Sequence, residues 1–231
     1  MIALSPEEQQ IIGLSLKVAL TAMLFSLPPG VAVAYLLSRY TFPGKALLSG
    51  LTHLPLILPP VVTGYALLLL FGRNGPVGRL LEPMGIVFAF DWTGAALAAA
   101  VMGFPLLVRA ARLSFDMVDP RIERAAETLG ARPVIRFLTI TLPLALPGVV
   151  AGAVLAFAKA LGEFGATITF VASIPGETRT LPLAIYSLIQ VPGGEAAALR
   201  LVLISLGVSI GALVLSEWGA RAVTRRVGGT R

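Results

Sequence analysis

Cysteine is absent from this 231-residue sequence, and histidine occurs only once, as His53. Disulfide frameworks and thiolate metal sites are therefore excluded, and so are sites that need several histidines. Charged residues are also scarce, at 13% of the chain, whereas hydrophobic residues make up 56%. The mean hydropathy of +0.87 is too high for a soluble domain of this length. The composition indicates an integral membrane protein, and we expect no cofactor and no metal.

Three other absences narrow the function. The chain has no phosphate-binding loop of the G-x-x-x-x-G-K-[ST] type, so we expect it not to be an ATPase. Its apolar segments offer no cluster of nucleophile, base or metal ligands, which disfavours an enzyme embedded in the membrane. No internal repeat is visible and the charges lie near the ends of the apolar segments, which disfavours a secondary transporter or channel.

Long apolar segments are what the sequence does contain. Five of them can cross a hydrocarbon core about 30 Å thick as α-helices, which predicts an all-α polytopic membrane protein with a single transmembrane domain. The apolar runs between 164 and 198 are too short to cross, and we expect this segment to be interfacial or re-entrant. The five predicted spans are residues 14–37, 50–71, 93–112, 142–162 and 200–218.

Two of these spans carry unusual features. Three prolines and Gly64 are expected to break the first half of the second span, which is then either a bent, pore-lining helix or a helix kinked only for packing. After the fourth span, Lys159 and Glu163 are four residues apart, so on a continuing helix they share a face and neutralise each other. We favour helix-end electrostatics over contact with a substrate for this pair. The three prolines are Pro55, Pro59 and Pro60.

The positions of the basic residues predict the orientation. The net charge of +6 is no sign of nucleic-acid binding here, because in a membrane protein the distribution of Lys and Arg matters more than their sum. With five spans, one side of the membrane holds twelve basic residues and the other six, so the N-terminus is expected to be periplasmic and the C-terminus cytoplasmic. The twelve are Arg39, Lys45, Arg109, Arg112, Arg121, Arg124, Arg132, Arg136, Arg221, Arg225, Arg226 and Arg231; the six are Lys17, Arg73, Arg79, Lys159, Arg179 and Arg200.

The longest polar interruption covers residues 119–141. Asp119 can cap a helix that begins at Pro120, and Gly130 can close it in the left-handed conformation. An apolar stripe at i, i+3, i+4 and i+7 suits a groove on another protein, although an amphipathic helix on the membrane surface is the alternative. The stripe consists of Ile122, Ala125, Ala126 and Leu129.

This stretch resembles the cytoplasmic EAA loop of permease subunits of bacterial ABC importers. The shared pattern is Ala125-Ala126, three residues, Gly130, nine residues, and then Ile140 to Pro143. In that family the loop forms a coupling helix that docks in a cleft of the ATP-hydrolysing subunit. One departure is that Arg124 stands where the family has Glu, and the acid lies one residue earlier. The coupling residues that the resemblance implies are Glu123, Ala125, Ala126, Leu129, Gly130, Leu142 and Pro143.

Nearly the whole chain is similar to permease subunits of molybdate importers of Gram-negative bacteria. The similarity includes the segments RYTFPGKALL, LTHLPLILPPVVTGYALLLLFGRNG, LGEFGATITF and PGETRTLP. It implies the type I ABC importer permease fold in the bacterial inner membrane. It also implies a homodimer around one pore, two ATP-binding-cassette ATPase subunits and a periplasmic molybdate-binding protein.

The resemblance also suggests the substrate. Molybdate is expected, with tungstate as a near-isosteric oxyanion, while sulfate or thiosulfate is the alternative because sulfate permeases share the segment around Glu163. The sequence itself shows no oxyanion site. The spans contain few cations, which is compatible with weak contacts from hydroxyl and backbone groups to a passing anion. We assign to the pathway or its gate the residues Pro59, Pro60, Lys159, Glu163, Phe164 and Gly165.

Overall fold

The computed structural model describes residues 4–227, with side chains as far as residue 214. Within this part the regular structure is entirely helical, as the apolar periodicity and composition predict. The helices are α1 (Pro6–Arg39), α2 (Lys45–Ile57), α3 (Pro60–Phe71), α4 (Pro76–Leu81), α5 (Trp92–Met117), α6 (Pro120–Thr128), α7 (Pro133–Arg136), α8 (Leu142–Leu161), α9 (Gly165–Val171), α10 (Leu181–Ile189) and α11 (Glu195–Val227).

The first helix is longer than the span predicted for residues 14–37. Ser5 starts it with a reciprocal capping box, in which the Ser5 hydroxyl accepts from the Glu8 amide at 3.2 Å and the Glu8 carboxylate accepts from the Ser5 amide at 2.8 Å. The helix continues through Pro28 and Pro29 to Arg39. At 1.5 Å per residue its 34 residues measure about 51 Å, more than a hydrocarbon core needs.

The centre of the molecule is the packing of α5 against α1 and α8. Small residues allow these helices to approach closely: a Cβ atom on Gly152 would lie 2.9 Å from the Leu107 carbonyl oxygen, and one on Gly103 would lie 3.0 Å from that of Ala156. Alanine fills much of the buried surface. The small buried residues of α5 are Gly94, Ala95, Ala96, Ala98, Ala99, Gly103 and Ala111.

The bundle has two ends, each with its own apolar core. At the α6 end, Phe115 of α5 and Val118, which follows α5, pack with Leu37 of α1 and Val149 of α8. At the α9 end, the core includes Val18, Ala19, Leu67, Ala95, Ala98, Leu161, Phe170 and Val171. The C-terminus of α1 and the N-terminus of α8 therefore lie at the α6 end, and the N-termini of α1 and α5 lie at the α9 end.

The second predicted span consists of two helices in place of one kinked helix. The chain bends by 115° between α2 and α3, at the break formed by Leu58 and Pro59. Leu48 packs into the core of the α6 end and Leu67 into that of the α9 end, so the bent pair joins the two ends of the bundle. Gly64, expected to help break this span, instead lies inside α3.

Among the described residues, four helices are long and apolar enough to cross a membrane, or five if the bent pair counts as one span. The helices extend beyond the predicted spans 93–112 and 200–218, as α5 and α11. The fourth span, predicted for 142–162, is α8, which is preceded by α7 and a π-helical turn from Phe137 to Thr141. The basic side chains predicted to be cytoplasmic at Arg221, Arg225, Arg226 and Arg231 lie outside the described side chains.

The segment 164–198 forms two short helices, α9 and α10, and the start of α11. The start of α10 and the loop before it contact the N-terminal part of α1: the Leu181 amide donates to the Ser15 hydroxyl at 2.7 Å, and the Arg179 guanidinium lies 3.4 Å from the Glu7 carboxylate. At the start of α11, Arg200 lies 3.1 Å from Glu8. These contacts fix the N-terminus of α1 at the α9 end.

Candidate coupling helix and transport pathway

The N-terminus of α6 is capped as the sequence predicts. The Asp119 side chain accepts a hydrogen bond from the Arg121 amide at 2.8 Å, and Pro120 occupies the first helical position, where an amide hydrogen is not needed. The helix then continues for nine residues to Thr128. The polar interruption in the sequence is therefore a short helix at one end of the bundle.

The C-terminus of α6 closes at Gly130, which has a φ of +81°. The Gly130 amide donates to the Glu127 carbonyl at 2.9 Å, and the Ala131 amide donates to the Ala126 carbonyl at 3.0 Å. These two bonds define a Schellman motif, in which a left-handed residue lets two carbonyls at the helix end find partners. No atom beyond its neighbours lies within 4 Å of a Cβ placed on Gly130, so the backbone angle alone favours glycine there.

The predicted apolar stripe does not lie on a single exposed surface. Ala126 is buried against the rest of the chain, whereas Ala125 is exposed, Ile122 is 46% exposed and Leu129 is 88% exposed. Ala126 therefore belongs to the inner face of α6, and a groove on another protein can be reached by the other three. We call Ile122, Ala125 and Leu129 the outer face of α6.

Glu123 also lies on the inner face. Its carboxylate is 3.3 Å from the Arg39 guanidinium and accepts a hydrogen bond from the Thr141 hydroxyl at 2.7 Å. Arg39 donates in addition to the Val118 carbonyl at 2.9 Å. The Arg39 and Glu123 side chains are each 13% exposed. Sequence reasoning missed this cluster because nothing in the local pattern links residues 39, 123 and 141.

Leu142 and Pro143 occupy a different position from the outer face. They begin α8 directly after the π-helical turn, and both are partly buried. Leu142 packs against the core of the α6 end, which contains Phe115 and Val149. The two residues therefore fix where α8 starts, while the exposed apolar side chains near α6 include those of the outer face and of Val134, Ile135 and Leu138.

The predicted pathway residues meet at the α9 end. A Cβ atom on Gly165 would lie 2.7 Å from the Pro60 Cβ, and one on Gly64 would collide with the backbone of Ala166. Pro59 caps α3, and its carbonyl accepts from the Val62 amide at 2.9 Å. Helices α3 and α9 thus pack almost backbone to backbone. The glycine at position 64 permits a close approach, which its assignment as a helix breaker did not foresee.

The corner between α8 and α9 is held by the predicted ion pair. The Lys159 ammonium lies 2.6 Å from the Glu163 carboxylate, whose other oxygen accepts from the Ala166 amide at 3.0 Å. The Glu163 side chain is 1% exposed and that of Lys159 is 30% exposed. The pair forms even though α8 ends at Leu161, so it spans the end of one helix and the beginning of the next.

Phe164 lies beside this corner and packs on Tyr186 of α10, with ring centroids 4.8 Å apart. The structure therefore brings together five of the six assigned pathway residues through contacts with each other or with shared neighbours, and Pro59 lies at the adjacent break. Among the described residues, no group of three or more His, Cys, Asp or Glu side chains could hold a metal ion.

Comparison with known proteins identifies the family. The model described as "Binding-protein-dependent transport system inner membrane component" matches residues 14–227. The chain belongs to this family. Among its relatives, the molybdenum transport system permease protein ModB of Escherichia coli (strain K12) is 59% identical over 229 residues, covering 99% of this chain and 100% of the relative. The sulfate transport system permease protein CysW of Synechococcus elongatus is 38% identical over 210 residues, covering 90% of this chain and 72% of the relative.

Solved structures support the fold. A bacterial ABC transporter involved in the import of the acidic polysaccharide alginate has a chain that aligns with a TM-score of 0.76 at 16% identity, covering 96% of this chain and 82% of that one. A chain of the inward-facing MetNI methionine ABC transporter aligns with a TM-score of 0.72 at 17% identity, covering 96% of this chain and 100% of that one. The chain of this inner-membrane component therefore has the type I ABC importer permease fold.

Proposed function

We propose that two copies of this chain form the pathway of an ATP-driven importer that carries molybdate, and also tungstate, into the cytoplasm. A periplasmic binding protein delivers the anion, and two ATP-binding-cassette subunits hydrolyse ATP. The observation that carries the substrate is the 59% identity over the full length of a molybdenum transport permease, against 38% to a sulfate permease. Molybdate and sulfate are both tetrahedral dianions, so the substrate needs a direct test.

The outer face of α6 supports docking of an ATPase. Leu129 projects from the end of the helix with 88% of its surface exposed, directly before the Schellman turn at Gly130. Ile122 is about half exposed near the start of the same helix. An exposed apolar side chain on a capped helix is typical of a surface that another protein or the membrane covers, and the turn at Gly130 holds Leu129 at the tip of the helix. We assign this face, with Ala125, to the groove of the ATPase subunit.

The orientation that we propose places α6 in the cytoplasm. Arg39, Arg112 and Arg136 pair with acids at the α6 end, while Lys17, Arg179 and Arg200 have their partners at the α9 end. These six residues lie at the ends that the sequence pattern assigns to them, and the asymmetry between the ends comes from the twelve-to-six count of basic residues in the sequence. By the positive-inside rule the α6 end is cytoplasmic, and the N-terminus of α1 is periplasmic.

Transport by the assembled complex tests the substrate. Proteoliposomes that contain the permease and its ATPase are given the cognate binding protein loaded with molybdate, tungstate or sulfate in turn. We expect ATP-dependent uptake of molybdate and tungstate and no uptake of sulfate. Uptake of sulfate alone would overturn the substrate while leaving the family and the fold unchanged.

Cysteine labelling tests the orientation, because the chain has no cysteine of its own. Asn74 is exposed at the α9 end and Arg124 is exposed at the α6 end. A membrane-impermeant thiol reagent is expected to label Asn74→Cys but not Arg124→Cys in spheroplasts, and both after lysis. Gly75 is a poor labelling site, since a Cβ atom there would collide with the Leu69 carbonyl. The reverse labelling pattern would mean that the chain is inserted the other way round.

Co-purification tests docking. Leu129→Arg places a charge on the outer face of α6 and should abolish co-purification with the ATPase subunit. Leu80→Arg is the matched control, because Leu80 is 74% exposed on α4 at the α9 end. The control should retain the ATPase. Equal retention in both variants would show that α6 is not the docking element.

A further inference from the structure

The acid of the coupling loop points into its own chain. Successive residues on an α-helix are about 100° apart around its axis. Glu123 is 13% exposed and faces α1 and the start of α8, whereas the next residue, Arg124, is exposed. The carboxylate of this loop therefore lies on the inner face of α6, and the neighbouring cation lies on the exposed side.

Glu123 joins three elements that are separate in the sequence. Its carboxylate is paired with Arg39, the last residue of α1, and accepts from the hydroxyl of Thr141, the last residue of the π-helical turn before α8. Arg39 also donates to the Val118 carbonyl at the end of α5. The fully buried Thr141 and the largely buried ion pair exclude most water, which strengthens the electrostatic interaction.

A second acid on the same helix provides a comparison. Glu127 pairs with Arg136 at 2.9 Å, but the Glu127 side chain is 67% exposed. This pair connects α6 to α7, which continues through the π-helical turn into α8, but neither of its residues pairs with α1 or the end of α5. Because its carboxylate is exposed to solvent, which screens the charge, the pair holds α6 more weakly than the Glu123 cluster does.

We propose that Glu123 is a positioning residue: with Arg39 and Thr141 it holds α6 at a fixed angle to α1 and α8. When the docked ATPase moves, α6 then moves together with α1 and α8, because it cannot rotate independently of them. This inference rests on the proposed function, in which the outer face of α6 contacts the ATPase. It assigns the acid to the permease's own structure and leaves the contact with the ATPase to Ile122, Ala125 and Leu129.

The first experiment compares Glu123→Gln with Glu127→Gln in the purified complex. Both variants should co-purify with the ATPase, because the outer face is unchanged. We expect Glu123→Gln to reduce the stimulation of ATP hydrolysis by the loaded binding protein about tenfold, in the range of coupling between contacting groups. Glu127→Gln should retain normal stimulation. Thr141→Val, which removes only the hydroxyl donor, should reduce stimulation by a smaller factor.

A spin-label distance provides a readout that does not depend on activity. Labels attached to Arg121→Cys on α6 and Ala46→Cys on α2, both exposed positions, report the angle of α6 to the spans. We expect a narrow distance distribution in the parent and in Glu127→Gln, and a broad one in Glu123→Gln. Exchanging the charges, Arg39→Glu with Glu123→Arg, should narrow it again relative to either single variant.

The outcomes separate the two proposals. If the ATPase does not bind through α6 even in the parent protein, the proposed function fails. If Glu123→Gln binds the ATPase, responds normally to the binding protein and keeps a narrow distance distribution, docking stands and the positioning role of Glu123 is wrong. Loss of ATPase binding in Glu123→Gln, with a narrow distance distribution, would mean that the acid contacts the ATPase and would also overturn the positioning role.

Discussion

Glu123 and Glu163 are both paired acids of low exposure, but their partners come from different distances along the chain. Glu163 at the α9 end uses Lys159, four residues before it, and the Ala166 amide, three residues after it. Glu123 at the α6 end uses Arg39 and Thr141, from two other helical elements. The first acid fixes a local corner, and the second fixes a helix against the bundle. Only the first kind can be read from spacing.

Among the side-chain variants, Glu163→Ala should lower the free energy of unfolding most. The Glu163 side chain is 1% exposed, and its carboxylate both pairs with Lys159 and accepts a hydrogen bond from the Ala166 amide. Removing one partner of a buried ion pair costs about 3 kcal/mol. The free energy of unfolding, measured by denaturant titration in mixed micelles, should fall by this amount. Glu177→Ala is the control, since Glu177 is exposed in the following loop. An equal loss in both would mean that the corner contributes nothing special.

Thr141→Val should cost less, about 1.5 kcal/mol, because it removes one hydroxyl donor to a charged carboxylate while Arg39 remains. The side chains are nearly isosteric, so packing is preserved. Thr139→Val is the matched control: Thr139 donates only to the Ile135 carbonyl of its own turn and is exposed. The same denaturant titration should show a loss for Thr141→Val alone. Equal values for the two variants would indicate that the Glu123 cluster does not stabilise the fold.

Gly130→Ala should cost about 1 kcal/mol, because a side chain at a φ of +81° is strained even where space is open. Gly130→Asn should cost less, since asparagine tolerates the left-handed conformation. Thermal midpoints of the purified permease can rank the three proteins. The order Gly, Asn, Ala is expected, and alanine at least as stable as glycine would show that the turn does not require this angle.

The smallest effect is expected for Glu127→Gln. Its pair with Arg136 is exposed on the Glu127 side, so its removal should change the free energy of unfolding by less than about 0.5 kcal/mol. The change should shrink further in high salt, which screens exposed charges. A loss as large as that of Thr141→Val would remove the distinction between the inner and outer sides of α6.

The features that could be predicted from the sequence are those with local causes. Asp119, Pro120 and Gly130 define the ends of α6 because capping and left-handed turns depend on a few adjacent residues. The long apolar runs predict membrane-spanning helices because this signal also depends only on consecutive residues. Lys159 and Glu163 meet as expected because their separation of four residues keeps them close even past the end of α8.

The features that were not predicted depend on residues distant in the sequence. The prolines predict a break in the second span, but the 115° bend depends on how α3 packs against α9. The inward direction of Ala126 and Glu123 depends on where α1 and α8 lie. Helical periodicity gives a stripe on α6, but it does not say which part of that stripe is covered by the chain itself.

Gly64 of α3 and Gly165 of α9 both lie at the contact between these helices, but they differ in whether a second substitution could relieve the clash of an added side chain. The nearest atom to a Cβ on Gly165 is the Cβ of Pro60, and glycine is the one residue at position 60 that removes this atom. The nearest atoms to a Cβ on Gly64 all belong to the backbone of Ala166, which no substitution at that position removes. Pro60→Gly should therefore be recoverable as a second-site suppressor of Gly165→Ala, whereas Gly64→Ala should have none at position 166.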